Sequence, residues 1–144
     1  MTTVNLNAIE LNEFTAKEDP KQHCKATFPL VGAHGSRQLA TVYVEIEPGD
    51  SLGAHTDSAE ELLVILQGQL NVSIGGEETI VSAGDITLVP KMVTHNLCNV
   101  GPGKAKVLGV FGGSNHIVAT FEKEWLPANS NVVDTALLFK EYSS

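Results

Sequence analysis

Two histidines and two carboxylates stand in this sequence at spacings that permit metal chemistry. His55, Asp57 and Glu61 share parity, so in extended backbone their side chains fall on one face and converge on one point. Glu60 has the opposite parity and points elsewhere, which selects Glu61 over its neighbour. A second histidine, His95, follows Pro90 beyond another apolar run. Neutral imidazole nitrogen and carboxylate oxygen are the donor set for a divalent first-row metal that keeps coordination positions open. Any one of these residues alone reads as a polar residue at a strand edge; two strand-end histidines with two carboxylates complete a site.

Such a site needs a scaffold that brings distant strand ends together. The chain supplies short runs rich in β-branched residues at 38–47, 61–66, 70–74, 79–81, 86–89 and 105–111. The turns between them are chemically specific: Pro48-Gly49-Asp50, Gln67-Gly68-Gln69, Gly75-Gly76-Glu77, Ala83-Gly84-Asp85 and Gly101-Pro102-Gly103 offer the positive-φ or pre-bent positions that hairpins require. The connections are therefore mostly tight and antiparallel, and strands at this spacing make a sandwich or barrel. Leu70, Val72 and Ile74 alternate with Asn71 and Ser73, the pattern of a strand with one wet face. The run 62–66 is instead apolar on both faces, which calls for a second covering layer; in a small barrel another subunit often provides it, so a homodimer is expected. Helix signal is nearly absent before the C-terminus, where Asp134 can cap a short turn through residues 135–139, a segment too short to settle helix against strand by pattern.

Composition sets outer limits. The 144 residues are 42% apolar and 18% charged, a globular balance within the size of one domain, and no repeat, low-complexity tract or linker divides residues 1–144. No run approaches the roughly 20 apolar residues that span a membrane. The formal net charge of −8 comes without a Lys/Arg cluster, which argues against nucleic acid and anionic membrane as partners. The N-terminal segment has acidic residues where a secretion signal needs basic ones, so a cytoplasmic location is expected. Cys24 and Cys98 belong to no metal or redox spacing and read as two reduced thiols.

Two motifs then bear a resemblance. The first runs Gly49, five residues, His55, one residue, Asp57, three residues, Glu61, six residues, Gly68. The second runs Gly84, five residues, Pro90, one residue, Met92, two residues, His95, three residues, Asn99. Together they resemble the paired motifs of the cupin superfamily, with four of five marker positions matched in each. The resemblance implies an all-β fold, a conical antiparallel barrel of the jelly-roll type that is frequently dimeric. Its pocket would hold Fe, Mn, Ni, Zn or Cu through three histidines and a glutamate. Carried over, the ligands are His55, Glu61 and His95, with Asp57 where the family usually has its second histidine. Aspartate is a shorter, harder donor, so it either ligates directly or stands back and orients a water, and the site should favour a harder metal. The second departure is Met92 in place of a glycine, which removes a residue tolerant of unusual backbone angles and adds an apolar side chain near the pocket mouth.

The expected function is a metal-dependent enzyme on a small molecule, dioxygenase-type chemistry first and isomerisation second, with Fe, Mn, Ni or Zn bound and Asp57 as fourth ligand or general base. The rival is a non-catalytic cupin that binds a sugar, hormone or small acid. No nucleophile elbow, P-loop or dinucleotide fingerprint supplies another chemistry. His23, His34 and His116 lie outside both motifs and read as solvated or hydrogen-bonded. Tyr43, Phe28 and Phe111 read as core, and Trp125, beside Leu126-Pro127, as a residue that pins the C-terminal segment to the barrel.

Overall fold

A computed structural model describes residues 1–138. Twelve strands occur among them: β1 (Asn12–Ala16), β2 (His23–Thr27), β3 (Leu39–Ile46), β4 (His55–Asp57), β5 (Glu61–Gln67), β6 (Gln69–Ile74), β7 (Glu77–Ser82), β8 (Ile86–Val89), β9 (His95–Asn99), β10 (Ala105–Gly112), β11 (Val118–Leu126) and β12 (Ser130–Asp134), followed by the single-turn helix α1 (Thr135–Leu138). Every pairing between these strands is antiparallel, in the order β7-β6-β9-β4-β11-β1-β2-β3-β10-β5-β8, with β12 on β11. The two end strands of that order, β7 and β8, are consecutive in the chain. The short turn Ala83-Gly84-Asp85 joins them, with the Asp85 N–H on Ser82 O and the Gly84 N–H on Ile65 O of β5. A sheet whose first and last strands are joined by so short a turn has to curl until its ends meet, which makes it a barrel.

The runs read as strands become β3, β5, β6, β7, β8 and β10, displaced by at most two residues at either end. The hairpin between β6 and β7 shows why they were legible. Ile74 pairs with Glu77, and the intervening Gly75 and Gly76 sit at φ 56° and 91°, the left-handed pair that matches strand twist. Strands β1, β2, β4, β9, β11 and β12 lack such a signature. In β9 the buried positions are His95, Leu97 and Asn99, so a polar residue occupies the core face at both ends of the strand. Asn99 is held there by its own amide, which donates to Ile46 O at 2.8 Å and Gly103 O at 2.9 Å and accepts from Gly101 N, the turn role its position suggests.

The interior divides into two apolar clusters. Ile46, Leu63, Ile65, Leu70, Val72, Leu97 and Val107 form part of the first; Val31, Ala40, Phe111, Ile117 and Ala119 form part of the second, and Val42 and Phe121 pack against both. On β5 the inward residues Leu63 and Ile65 are buried, while Leu62 and Val64 on the outer face are half-buried. Across the ladder they meet Leu88 and Ile86, which are 57% and 65% exposed. The doubly apolar run is thus covered fully on one face and partly on the other within this chain.

At the C-terminus the pattern left two choices, and the structure settles on helix: the Ala136 N–H donates to Asp134 Oδ1 at 2.9 Å, opening α1. Phe139, the last residue of the expected turn, lies outside the described residues. Met92 adopts φ 63°, the left-handed conformation its motif assigns to glycine, and its N–H donates to Asp57 O at 3.0 Å. The loop therefore keeps its path at the strain that a side chain pays in that region. The Met92 side chain is largely exposed and is not among the residues lining the interior cavity. No described helix is long and apolar enough to cross a membrane.

Candidate metal centre

Four strand ends meet inside the barrel. His55 opens β4 and His95 opens β9, and the two are direct cross-strand partners in the antiparallel ladder, with ring centroids 4.1 Å apart. Asp57 closes β4, two residues beyond His55 and so on the same face. Glu61 opens β5, which lies on the other side of the barrel, paired with β10 and β8. All four side chains are buried, at 7, 4, 4 and 1% exposure for His55, Asp57, Glu61 and His95. His55, Asp57 and His95 offer ligand atoms that all lie within 4.8 Å of one another, and Glu61 Oε1 is 3.5 Å from His95 Nε2. The structure thus brings together all four residues read from the sequence. Glu60, the neighbour rejected on parity, is exposed, and its carbonyl accepts from Gly112 N.

The main chain fixes how the imidazoles point. His55 Nδ1–H donates to Gly53 O, and His95 Nδ1–H to Val93 O, each at 2.9 Å and each two residues back. With Nδ1 committed as donor, each neutral ring presents the lone pair of Nε2 to the site. A metal-bound histidine is usually oriented in this way, its other ring N–H held by a carbonyl or carboxylate. Both Nε2 atoms face carboxylates: His95 Nε2 is 3.0 Å from Asp57 Oδ2, and His55 Nε2 is 3.9 Å from the same oxygen. Yet neither Asp57 Oδ2 nor His95 Nε2 has an aligned hydrogen-bond partner, and both are fully shielded from solvent. Two carboxylates and two imidazoles crowd around one point, with a proton on His95 held between Asp57 and Glu61, and no Lys or Arg lines the cavity they face. A divalent cation is the group that such a donor set fits.

The acid–base properties follow from the same crowding. Burial, with His95 nearby, pushes the His55 imidazole down to about 4, so it stays neutral. Burial also raises the Glu61 carboxyl to about 7, against the pull of His95. Burial opposes charge on His95 as well, but contact with Asp57 and Glu61 outweighs it and holds the imidazole up at about 10. The two carboxylates that retain that proton are the ones a metal would have to take from it, so binding would release protons.

Sequence reasoning missed two contributors. Gly109 on β10 is a space-giving residue: a Cβ there would collide with Glu61 Oε2, meet Glu61 Cδ at 3.2 Å and come within 2.8 Å of Val42 Cγ1. A lone glycine inside an otherwise β-rich strand is a recognised mark of close approach, and that signal was available. Phe121 on β11 stacks on His55, with centroids 4.6 Å apart and planes at 20°. Nothing in its sequence surroundings separates it from a core aromatic. Phe28 and Phe111 line the cavity, whereas Tyr43 does not, its hydroxyl donating to Glu45 Oε2 at 2.8 Å. Trp125 lines the cavity, 5.5 Å from Phe121 between centroids, and it also pairs with Ser130 of β12, so it stands both in the wall and against the C-terminal segment.

The other histidines stay away from the centre. His23 links β1 to the turn before β4, its Nε2 2.7 Å from Glu13 and its Nδ1 3.0 Å from Asp50; His34 Nδ1 accepts from Val31 N, and His116 lies on an exposed loop near Ser114 and Asn115. Cys24 and Cys98 are free thiols, and burial pushes Cys24 up to about 12.

The closed antiparallel barrel and the two motifs coincide with a family signature, since residues 42–111 match the family model of the cupin domain. Residues 42–111 are a cupin domain. Solved structures share its fold. One described as a putative sugar phosphate isomerase from Acidithiobacillus ferrooxidans is 17% identical, with a TM-score of 0.66 over 94% of this cupin and 93% of that chain. A predicted oxalate decarboxylase from Thermotoga maritima is 20% identical, with a TM-score of 0.66 over 77% and 98%. The polyketide cyclase RemF from Streptomyces resistomycificus is 18% identical, with a TM-score of 0.63 over 78% and 79%. At these identities the likeness is one of fold, and the three differ in the chemistry of their names. No curated protein sequence matches this cupin.

Proposed function

We propose that this cupin is a metal-dependent enzyme acting on a small molecule inside the barrel, with a divalent Fe, Mn, Ni or Zn ion held by His55, Asp57, Glu61 and His95. The observation that carries this reading is the convergence of four buried donor groups: ligand atoms of His55, Asp57 and His95 lie within 4.8 Å of one another, Glu61 Oε1 is 3.5 Å from His95 Nε2, and backbone carbonyls fix both imidazoles. A bound first-row ion would supply Lewis-acid polarisation or oxygen activation at open positions. The chain's own part is to orient, exclude water and hold protons. Gly53 O and Val93 O aim the rings, the apolar wall keeps water away, and Asp57 either joins the ligands or serves as the base beside them. Oxidative, dioxygenase-type turnover is the leading reaction and isomerisation the second. One copy acts as a single cupin unit over residues 1–144, paired with a second copy through the outer apolar face of β5 and β8.

The test is elemental analysis by mass spectrometry on untagged protein purified without chelator, beside the double substitution His55→Ala/His95→Ala. Near-stoichiometric Fe, Mn, Ni or Zn in the wild type and none in the variant is the expected result. A wild type that takes up no metal even on reconstitution removes the metal-dependent reading and leaves a non-catalytic binding cupin.

A further inference from the structure

Donor atoms have to be aimed as well as gathered, and for His55 the aim passes through a residue outside both motifs. Phe121 stacks on the His55 ring with planes 20° apart and so fixes the plane of the imidazole. A plane alone does not decide which edge faces the site, because a half-turn about the ring bond exchanges the two edges within it. What decides is the 2.9 Å bond from Nδ1–H to Gly53 O, which leaves a bare Nε2 on the side of Asp57.

That carbonyl belongs to a glycine, and a glycine holds no direction by itself. Gly53 is buried at φ 79°, and glycine populates positive and negative φ about equally. The backbone is tied on either side of it, by Leu52 N–H to Leu97 O at 3.0 Å and by Glu122 N–H to Ala54 O at 3.1 Å. Between those ties lie the two peptide planes that meet at Gly53, and the side-chain amide of Gln22 rests against them. A Cβ on Gly53 would overlap Gln22 Oε1 outright and would meet Cδ at 2.7 Å and Nε2 at 3.4 Å. The amide thus fills the space that another residue would need for its own side chain. Gln22 is itself anchored. Its N–H donates to Asp19 O at 3.0 Å, its carbonyl accepts from Ala16 N–H at 2.9 Å, and its Nε2 donates to Asp19 Oδ2 at 3.3 Å. It also bridges to Ser51, in the segment that leads to Gly53. Gln22 does not line the cavity.

We propose that Gln22 is a positioning residue for His55: its amide, packed on Gly53, keeps the Gly53 carbonyl turned to Nδ1 and so keeps Nε2 bare and facing the site. The use made of that nitrogen, metal coordination, rests on the metal-centre reading; the positioning does not.

The test uses full-length protein stripped of metal at neutral pH, where the His55 imidazole is uncharged. Long-range proton–nitrogen correlation NMR separates a ring protonated on Nδ1 from one protonated on Nε2, and the wild type is expected to show His55 as the Nδ1–H form. In Gln22→Ala the ratio of the two forms should move about fivefold towards Nε2–H, the worth of one neutral hydrogen bond. Gln22→Met restores the bulk over Gly53 and should restore the wild-type ratio. A residue that merely supports the fold would lower stability and leave this ratio alone. If Gln22→Ala does not fold, Gln22→Asn, whose amide falls one methylene short, replaces it. The inference is overturned if wild-type His55 carries its proton on Nε2, if the ratio in the folded Ala or Asn variant equals that of the wild type, or if Gln22→Met shifts it as far. Metal uptake is measured on the same samples after reconstitution. Protein that takes up no Fe, Mn, Ni or Zn yet shows the Gln22-dependent shift loses the metal centre and keeps this inference; protein that binds metal with the ratio unmoved does the reverse.

Discussion

Gly109→Ala adds one methyl group at a position that never touches the candidate metal, yet it should cost the site a ligand. The new Cβ would sit 2.8 Å from Val42 Cγ1 and 3.2 Å from Glu61 Cδ, where ordinary contact begins at 3.4 Å, and it would overlap the Glu61 carboxylate oxygen outright. Val42 belongs to the β3 ladder on β10 and has little freedom to retreat, so Glu61 has to swing away. Relieving the overlap takes a movement of roughly 1 Å, whereas metal–oxygen distances hold to within about 0.2 Å. Glu61 should therefore drop out of coordination, with metal affinity falling at least about 10–100-fold. Folding stability should fall by about 1–3 kcal/mol, the usual cost of an extra methyl in a packed interior. Competition with a chelating dye reads the affinity, and urea unfolding of the apo form reads the stability. Unchanged metal affinity in a folded Gly109→Ala protein would refute the claim that Glu61 is a ligand whose place this glycine keeps open.

Two further outcomes test other parts of the fold. The His23 imidazole is raised above its ordinary 6.5, chiefly by its hydrogen bond to Glu13 and then by Asp50 after the opposing effect of burial. A group whose pKa is higher folded than unfolded stabilises most below the unfolded value and loses that contribution as pH rises through the folded one. His23→Gln should thus lower Tm by about 2 °C at pH 6 and by less at pH 9, and an equal loss at both would show that His23 acts through packing and not through its charge. On the outer barrel face, Leu88 is exposed beside half-buried Leu62, and Leu88→Lys would remove apolar area twice in a two-fold dimer. Sedimentation should show the dimer constant weakened about 100-fold or more, from roughly 1.5–3 kcal/mol per side chain; a monomeric wild type sinks the dimer proposal.

What was legible in the sequence came from local chemistry. Glycine pairs at turns and β-branched runs fix strands such as β6 and β8 because one or two side chains decide the backbone there. Strand β4 could not be seen that way, since His-Thr-Asp has no strand pattern and exists only by pairing with β9 and β11. The choice of Glu61 shows how a sound result can rest on an incomplete reason. Parity was counted from 55 through 61, but the stretch 58–60 breaks the strand, and Glu61 starts a different one. What brings it to His95 is closure of the barrel, a long-range event invisible to period-2 counting. The place of Trp125 in the cavity wall was out of reach for a similar cause: its proline neighbour marks a local bend, while its burial depends on long-range closure.

The strand order carries one more consequence. β4 and β9 lie near one end of that order and β5 near the other, so the four candidate ligands come from opposite arcs of one curled sheet. They are neighbours only while the seam between β7 and β8 is shut. A ligand spanning His55, His95 and Glu61 would act as a clasp across the seam, and the tightness of that clasp would be a direct gauge of how often the barrel breathes.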